Sequence, residues 1–315
     1  MPNSPERVLI TGANGHLGTR LIARLAAADE PVPVRAVVRS ERAAATLREK
    51  TRGAAEPVVL DPRDVEALAC AADGCSAAVH LVGILKEGAN SRFVDAHENI
   101  SVALAEASAR AGLRRIVYLS ILGSHPGSPN ACLASKGRAE RILLESKTPA
   151  LVLRVPMVIG EDDFASRALS GQARAPFVLL PRGGRSLEQP IDANDVVSAI
   201  LAGVRAPAAA GGPLDDVALD LAGPRSLPRR EILALCAALY GRKPPNVIPV
   251  PLAIGRTAAF LFEKILADPP VSRAMLGVLD HDDDIDPTDT CRRLGLELTP
   301  LDATLRRCVG PEARS

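Results

Sequence analysis

The sequence predicts an α/β fold, a doubly wound parallel sheet followed by a smaller C-terminal α/β lobe. Two observations carry that prediction. Short apolar runs alternate with helical stretches through the first 155 residues, and the first run ends in the turn "TGANGHLG" (residues 11–18), which opens the first helical stretch. Strands alternating with helices of this length imply a parallel sheet with crossover helices.

The elements follow in order. The apolar runs are "RVLITG" (7–12), "VPVRAVVR" (32–39), "EPVVLD" (56–61), "AAVHLVG" (77–83), "RRIVYLS" (114–120) and "ALVLRV" (150–155). Each is rich in β-branched residues and mostly apolar on successive positions, as expected of strands covered on both faces. Helical stretches fall between them at 17–28, 41–50, 63–72, 99–111 and 133–146. The expected boundaries are a nucleotide-binding domain over 1–155 and a smaller substrate or lid lobe over 156–315, which gives elements back to the sheet.

After Pro156 the rhythm loosens. Residues 205–213 are rich in Pro, Gly and Ala and read as a loop or hinge. "EILALCAALYG" (231–241) is an amphipathic helix with Gly241 at its C-cap. Residues 252–267 are mostly apolar and lie between Pro251 and the pair Pro269 and Pro270, which predicts another helix. The acidic run "DHDDDIDPTD" (280–289) lacks the glycine and closing glutamate of a calcium-binding EF-hand loop and reads as a solvated loop.

Composition excludes several classes. The 315 residues are 47% hydrophobic and 24% charged, with a formal net charge of +1. Such a chain has no overall field to draw it to nucleic acid or acidic lipid. With no Trp, two Tyr and five Phe, a base-stacking surface is not expected. The six cysteines form no C-x-x-C pair and have no His at zinc spacing. No apolar run reaches the ~18 residues of a membrane-spanning helix. The start "MPNSPERVLI" shows no secretory signal, so the expected compartment is the cytoplasm.

The glycine turn carries the chemistry of a dinucleotide site. Gly12, Gly15 and Gly18 are spaced G-x-x-G-x-x-G between a strand and a helix. A turn this tight needs residues without Cβ, and the helix N-terminus then offers free N–H groups to a pyrophosphate. The intervening Asn14, His16 and Leu17 complete the candidate cofactor loop. The second strand ends in Arg39-Ser40 rather than in Asp or Glu. An arginine there can hold a ribose 2′-phosphate with two N–H groups, which favours NADP(H) over NAD(H).

These motifs, in this order, resemble the extended and atypical short-chain dehydrogenase/reductases, whose nucleotide domain is a Rossmann fold. "LDPRD" (60–64) resembles the third-strand motif whose aspartate, here Asp61, approaches the adenine. "AAVHLVGIL" (77–85) resembles the segment lining the nucleotide, which assigns Leu81, Val82 and Gly83 to the cofactor. "HLVGIL", "RGGRSLEQPIDANDV" and "LAGPRSLPRREIL" are most similar to the branch that holds the NADPH-binding accessory subunit of respiratory complex I and its bacterial relatives.

The resemblance also implies an active site that is only partly present. Working members use Tyr-x-x-x-Lys and a Ser or Thr after the fifth strand. Lys136 matches the lysine, which binds the nicotinamide ribose and lowers the tyrosine pKa, and Ser120 is the hydroxyl candidate ahead of Ser124. Cys132 occupies the tyrosine position. A thiol has a shorter reach than a phenol and ordinarily titrates near ~8.5 rather than ~10, so it is not an equivalent acid. Cys132 reads either as a small buried thiol or as a nucleophile activated by Lys136. Tyr118 lies within a strand and Tyr240 far along the chain, so neither replaces the missing phenol. Among His80, His97 and His125, the best replacement acid is His125, whose loop precedes the "NACLASK" helix.

Three functions therefore compete. One is a nucleotide-binding subunit or sensor without turnover, another an oxidoreductase with a rearranged proton donor, and the third an RNA-associated role, which net charge and scarce aromatics oppose. The apolar stretch 252–266 of the C-terminal lobe reads first as packed core, and otherwise as the wall of a pocket or as a surface for a membrane or a larger complex. An apolar pocket would favour a quinone, isoprenoid, polyketide or lipid over a nucleotide sugar.

Overall fold

All six apolar runs form strands. In the computed structural model they are β1 (Val8–Thr11), β2 (Val34–Val38), β3 (Glu56–Val59), β4 (Ala77–His80), β5 (Arg115–Ile121) and β6 (Ala150–Val155). Between them run α1 (His16–Ala26), α2 (Glu41–Lys50), α3 (Val65–Ala72), α4 (Ile100–Arg110) and α5 (Ala131–Leu144). The structure describes residues 7–89, 91–206, 212–251, 253, 257, 272–279 and 281–311. Most of the apolar stretch 252–267 and most of the hinge at 205–213 lie outside these residues.

The remaining elements are β7 (Val158–Ile159), α6 (Phe164–Arg174), β8 (Phe177–Pro181), β9 (Leu187–Glu188), β10 (Ile191–Asp192), α7 (Ala193–Arg205), β11 (Val217–Asp220), β12 (Leu227–Pro228), α8 (Arg229–Leu239), β13 (Asn246–Val250), α9 (Arg273–Leu279), α10 (Thr288–Leu294) and α11 (Leu301–Val309).

The central sheet has the order β11-β6-β5-β4-β1-β2-β3, and all its pairings are parallel. The order reverses between β1 and β4. In sheets of this kind ligands bind in the crevice at the carboxyl ends of the strands beside such a reversal. One sheet face packs Leu21, Ile22 and Leu25 of α1, Leu47 of α2 and Val196 and Ile200 of α7. The other packs Leu68 of α3, Leu104 of α4 and Leu143 of α5. A separate core joins Leu169 of α6, Val178 and Leu180 of β8, Ile232 and Leu233 of α8 and Leu305 of α11. Burial on both faces explains why the strands read as continuous apolar runs.

Two local details differ from the sequence expectations. A π-helical turn, Val94–Asn99, precedes α4 and carries buried His97. The acidic run is not simply solvated. Asp283 donates its backbone N–H to Leu187 O at 3.0 Å, and Leu187 N–H donates to Asp282 Oδ1 at 2.8 Å. Ile285 N–H donates to Gln189 Oε1 at 2.9 Å. The run is thus pinned along β9 by polar groups that its composition does not reveal. Among the described residues, no helix is long and apolar enough to cross a membrane.

Candidate functional site

The glycine turn sits at the carboxyl end of β1, in the crevice. Gly12 has φ +76°, and a Cβ there would lie 2.9 Å from the backbone of Leu81 and Val82. A Cβ on Gly18 would lie 2.5 Å from Ala13 O. Both glycines are therefore demanded by close backbone approach. Gly15 caps α1 without any side-chain hydrogen bond, and the first turn of α1 carries no acidic residue. Its first N–H groups are left to an anion, and Asn14 and His16 are exposed beside them. Leu17 is half-buried against the core, and Leu81 N–H donates to Thr11 O at 3.0 Å. These residues fit a dinucleotide pyrophosphate.

Arg39 is exposed at the end of β2, and Ser40 caps α2 by accepting from Ala43 N–H at 3.2 Å. Asp61, past the end of β3, is exposed and accepts both Nε and Nη2 of Arg63, at 3.0 and 2.7 Å. That fork, followed by Arg63's backbone N–H, holds the Asp61 carboxyl below the usual carboxylate range. The sequence singled out Asp61 but missed this arginine, which also lies 3.7 Å from Asp95.

A buried polar row crosses the sheet beneath the crevice. Thr11, His80 and Tyr118 sit side by side on β1, β4 and β5. Thr11 Oγ1 and His80 Nδ1 are 2.6 Å apart, and the His80 ring stacks on Tyr118 with centroids 5.0 Å apart. Lys136 Nζ lies 4.5 Å from the Tyr118 ring centroid and donates to Leu119 O at 3.0 Å. A Cβ on Gly83 would lie 3.0 Å from the same amine. Burial lowers the Lys136 pKa to about 8, against weaker support from Cys132 and Glu140. Burial, then Lys136, pushes His97 down to about 3, and its Nε2 accepts from Ile84 N–H at 3.1 Å. His97 is thus a neutral acceptor that shapes the Gly83–Ile84 segment.

Cys132 lies one turn before Lys136 on α5, fully buried, with Sγ 3.5 Å from Ile84 O. Burial raises its thiol to about 11. Desolvation thus outweighs the nearby lysine, which favours the small buried thiol of the two readings over the nucleophile. His125 is exposed, and its Nδ1 accepts from Gly127 N–H at 3.1 Å. Only its backbone presses on α5, at Gly137. No hydrogen bond or ring contact joins its imidazole to Lys136 or Cys132 among the described residues.

Ser120 is buried and donates to Glu140 Oε1. Glu140 in turn accepts Arg154 Nε at 3.0 Å and Nη2 at 2.6 Å. Ser124 Oγ is 3.3 Å from Ser120 Oγ. The sequence reading missed Glu140, although its position four residues after Lys136 puts both on one helix face. Tyr240 is bound to Ser170 Oγ at 2.7 Å, in the separate core of α6 and α8 and away from the sheet row. Among the described residues, no group of His, Cys, Asp and Glu could hold a metal ion.

Comparison with known proteins follows the same lines. Residues 12–178 match the model of a family described as NAD(P)H-binding. The mitochondrial NADH dehydrogenase (ubiquinone) 1 alpha subcomplex subunit 9 of Arabidopsis thaliana is 27% identical over 254 residues, covering 79% of this chain and 61% of that protein. The Mus musculus counterpart is covered to 63%, so the chain spans about three fifths of the length of these relatives. A ceramide reductase of Caulobacter vibrioides is 29% identical over 237 residues, covering 75% of this chain and 71% of that protein. The structure of a Citrobacter sp. triphenylmethane reductase superposes with a TM-score of 0.73 at 17% identity, over 96% of this chain and 99% of that one. That last likeness is one of fold.

Proposed function

This chain belongs to the NAD(P)H-binding family, as an atypical short-chain dehydrogenase/reductase, and on that premise we propose that it is an NADPH-dependent reductase of an apolar carbonyl compound. The observation that carries this reading is the buried Lys136 amine, aimed between Leu119 O and Gly83 at the open ends of β4 and β5. Such a group, next to a glycine turn that fits a pyrophosphate, is placed to hold a nicotinamide ribose. NADPH, when bound, supplies a hydride. Gly12, Gly15 and Gly18 admit its phosphates, Arg39 pairs with the 2′-phosphate, and Leu81, Val82 and Gly83 line its face. The lobe built around α6, β8, α8 and α11 closes the substrate side. The ceramide reductase relative, and the exposed Phe164, Phe177 and Leu179 of that lobe, support an apolar substrate or surface.

A second reading rests on Cys132. Its buried thiol is shorter than a phenol by a ring and is turned to Ile84 O, so it does not deliver a proton where the phenol would. With the complex I relatives, this favours a nucleotide-binding subunit of a larger assembly without turnover. Calorimetric titration with NADPH and with NADH separates the outcomes. Tight NADPH binding with weak NADH binding supports the cofactor assignment; binding of neither sinks it. NADPH oxidation by long-chain ketones then decides between reductase and silent subunit.

A further inference from the structure

A segment of the C-terminal lobe packs on the end of α5 and on the loop after β5, the two elements that hold Lys136. Asn130, whose side chain caps α5 by accepting from Cys132 N–H at 2.9 Å, also donates Nδ2–H to Ala274 O of α9 at 2.9 Å. Helix α9 is thereby seated on the end of α5 that carries Cys132. His281, beyond α9, rests against the loop that follows β5. Gly123 in that loop has φ +77°, and a Cβ there would lie 3.0 Å from His281 Nε2. Four residues before Gly123 is Leu119, whose carbonyl holds Lys136.

The other nitrogen of His281 is also engaged. Nδ1 lies 3.2 Å from Asp283 Oδ1. The position of Asp283 is fixed by its N–H to Leu187 O at 3.0 Å and by Ser226 Oγ–H donating to its carbonyl at 2.6 Å. Burial raises the Asp283 carboxyl, and the His281 pairing opposes that rise. Nearby Asp282 pairs with Arg182 at 3.4 Å and Glu188 with Arg229 at 2.8 Å, so neither charge is free to compete for the imidazole. The imidazole is 46% exposed and its carboxylate partner 16%, an accessible ring held by a sheltered acid. A carboxylate that accepts Nδ1–H orients the ring, so that Nε2, on the side of Gly123, is bare in the neutral ring and carries the transferable proton in the imidazolium form. The other four histidines differ: His80 and His97 are buried, His125 turns its Nδ1 to its own loop, and His16 lies exposed in the glycine turn.

We propose that His281, oriented by Asp283, is the proton donor of this site and stands in for the phenol that position 132 lacks. The proposal rests on the NADPH-reductase reading above. In the step it describes, the substrate carbonyl carbon gains the hydride that NADPH supplies, and the C=O π pair moves to oxygen. That oxygen takes the proton from His281 Nε2. Imidazolium becomes imidazole, NADPH becomes NADP⁺, and the carbonyl becomes an alcohol. Lys136 and Asp283 then act as positioning residues.

The test uses the full chain, with NADPH affinity measured by calorimetry on every variant. Carbethoxylation of His281 by diethyl pyrocarbonate, followed by peptide mass, reports its place in the cleft without any turnover. NADP⁺ together with methyl decyl ketone is expected to slow modification of His281 several-fold and to leave His125 unchanged. His281→Gln is expected to lower kcat for NADPH oxidation with that ketone by about 100-fold or more, with NADPH affinity unchanged, and Asp283→Asn to lower it less. Unslowed modification in protein that binds NADPH overturns the assignment, as does full turnover in His281→Gln. NADPH binding without oxidation by any methyl ketone from hexyl to tetradecyl chain length also overturns it. Failure to bind NADPH at all removes the parent reading instead, and calorimetry tells the two failures apart.

Discussion

Ser120 donates its one hydroxyl proton to Glu140, the carboxylate that also grips Arg154 through two guanidinium nitrogens. Ser120 is therefore an acceptor toward anything above it, and its hydroxyl does not polarise a substrate carbonyl while Glu140 is charged. The buried carboxylate is the costly member of this trio. Glu140→Gln leaves half-buried Arg154 with only Asp220, 3.6 Å away, as counter-charge and is expected to destabilise the fold by roughly 2 kcal/mol. Ser120→Ala is expected to cost about 1 kcal/mol. Urea denaturation of both variants checks the order. Equal stability of Glu140→Gln and the parent chain would show that the pair carries no structural weight.

Acid should unfold the chain through its buried histidines. His97 is pushed from 6.5 down to about 3, chiefly by burial and then by Lys136, and fully buried His80 shifts in the same direction. A base whose folded pKa is lowered binds its proton first in the unfolded state. Its contribution is whole above pH 6.5 and is lost as pH falls toward 3. His97→Gln keeps an acceptor for Ile84 N–H and does not titrate. The wild type should lose about 2–3 kcal/mol more than this variant between about pH 7 and 4.5. Parallel stability curves for the two proteins would refute the assignment.

Thiol reactivity should split by burial. Cys70 is exposed, whereas Cys132, Cys236 and Cys308 are buried with thiols raised to about 11, 12 and 12. Iodoacetamide at neutral pH is expected to label Cys70 fast and Cys132 only after denaturation. Rapid native labelling of Cys132 would restore the nucleophile reading that burial argues against.

The cofactor loop gives a pair of separable variants. Gly18→Ala would drive a methyl into the backbone of Ala13 and should abolish binding of NADPH and NADH alike. Arg39→Ala touches only an exposed side chain and should weaken NADPH by about 10–100-fold, with NADH little changed. If both nucleotides weaken equally in Arg39→Ala, the 2′-phosphate assignment fails.

How much of this was legible in advance follows from the range of the forces involved. The six strands of 7–155 and the glycine turn are written locally, in apolar runs and in a backbone that only glycine can follow. Lys136 was visible because i, i+4 spacing survives on any helix. The Ser120, Glu140 and Arg154 trio was not, since those residues meet only after β5, α5 and β6 pack together. Nor was the stack of His80 on Tyr118, which depends on strand register across two crossovers. His281 was hidden inside an acidic run whose composition speaks of solvent, while its backbone is tied to Leu187 and Gln189 nearly a hundred residues earlier. The nucleophile reading of Cys132 gained no support because sequence shows the neighbouring charge and not the desolvation.

The seventh strand of the sheet bears on how the chain is made. β6 ends at Val155 and its outer neighbour β11 begins only at Val217, about sixty residues later. At a synthesis rate of about 5–20 residues per second, a nascent chain holds β6 as a bare edge for roughly 3–12 seconds. During that interval an apolar strand with unpaired N–H and C=O groups faces the medium, open to pairing with another nascent chain. Helix α7, laid against the same strands, emerges before β11 and covers the sheet's face but not its margin. Slow codons or a stall between residues 156 and 216 would prolong that exposure. Aggregation during expression should therefore respond to translation speed in this window more than anywhere else in the chain.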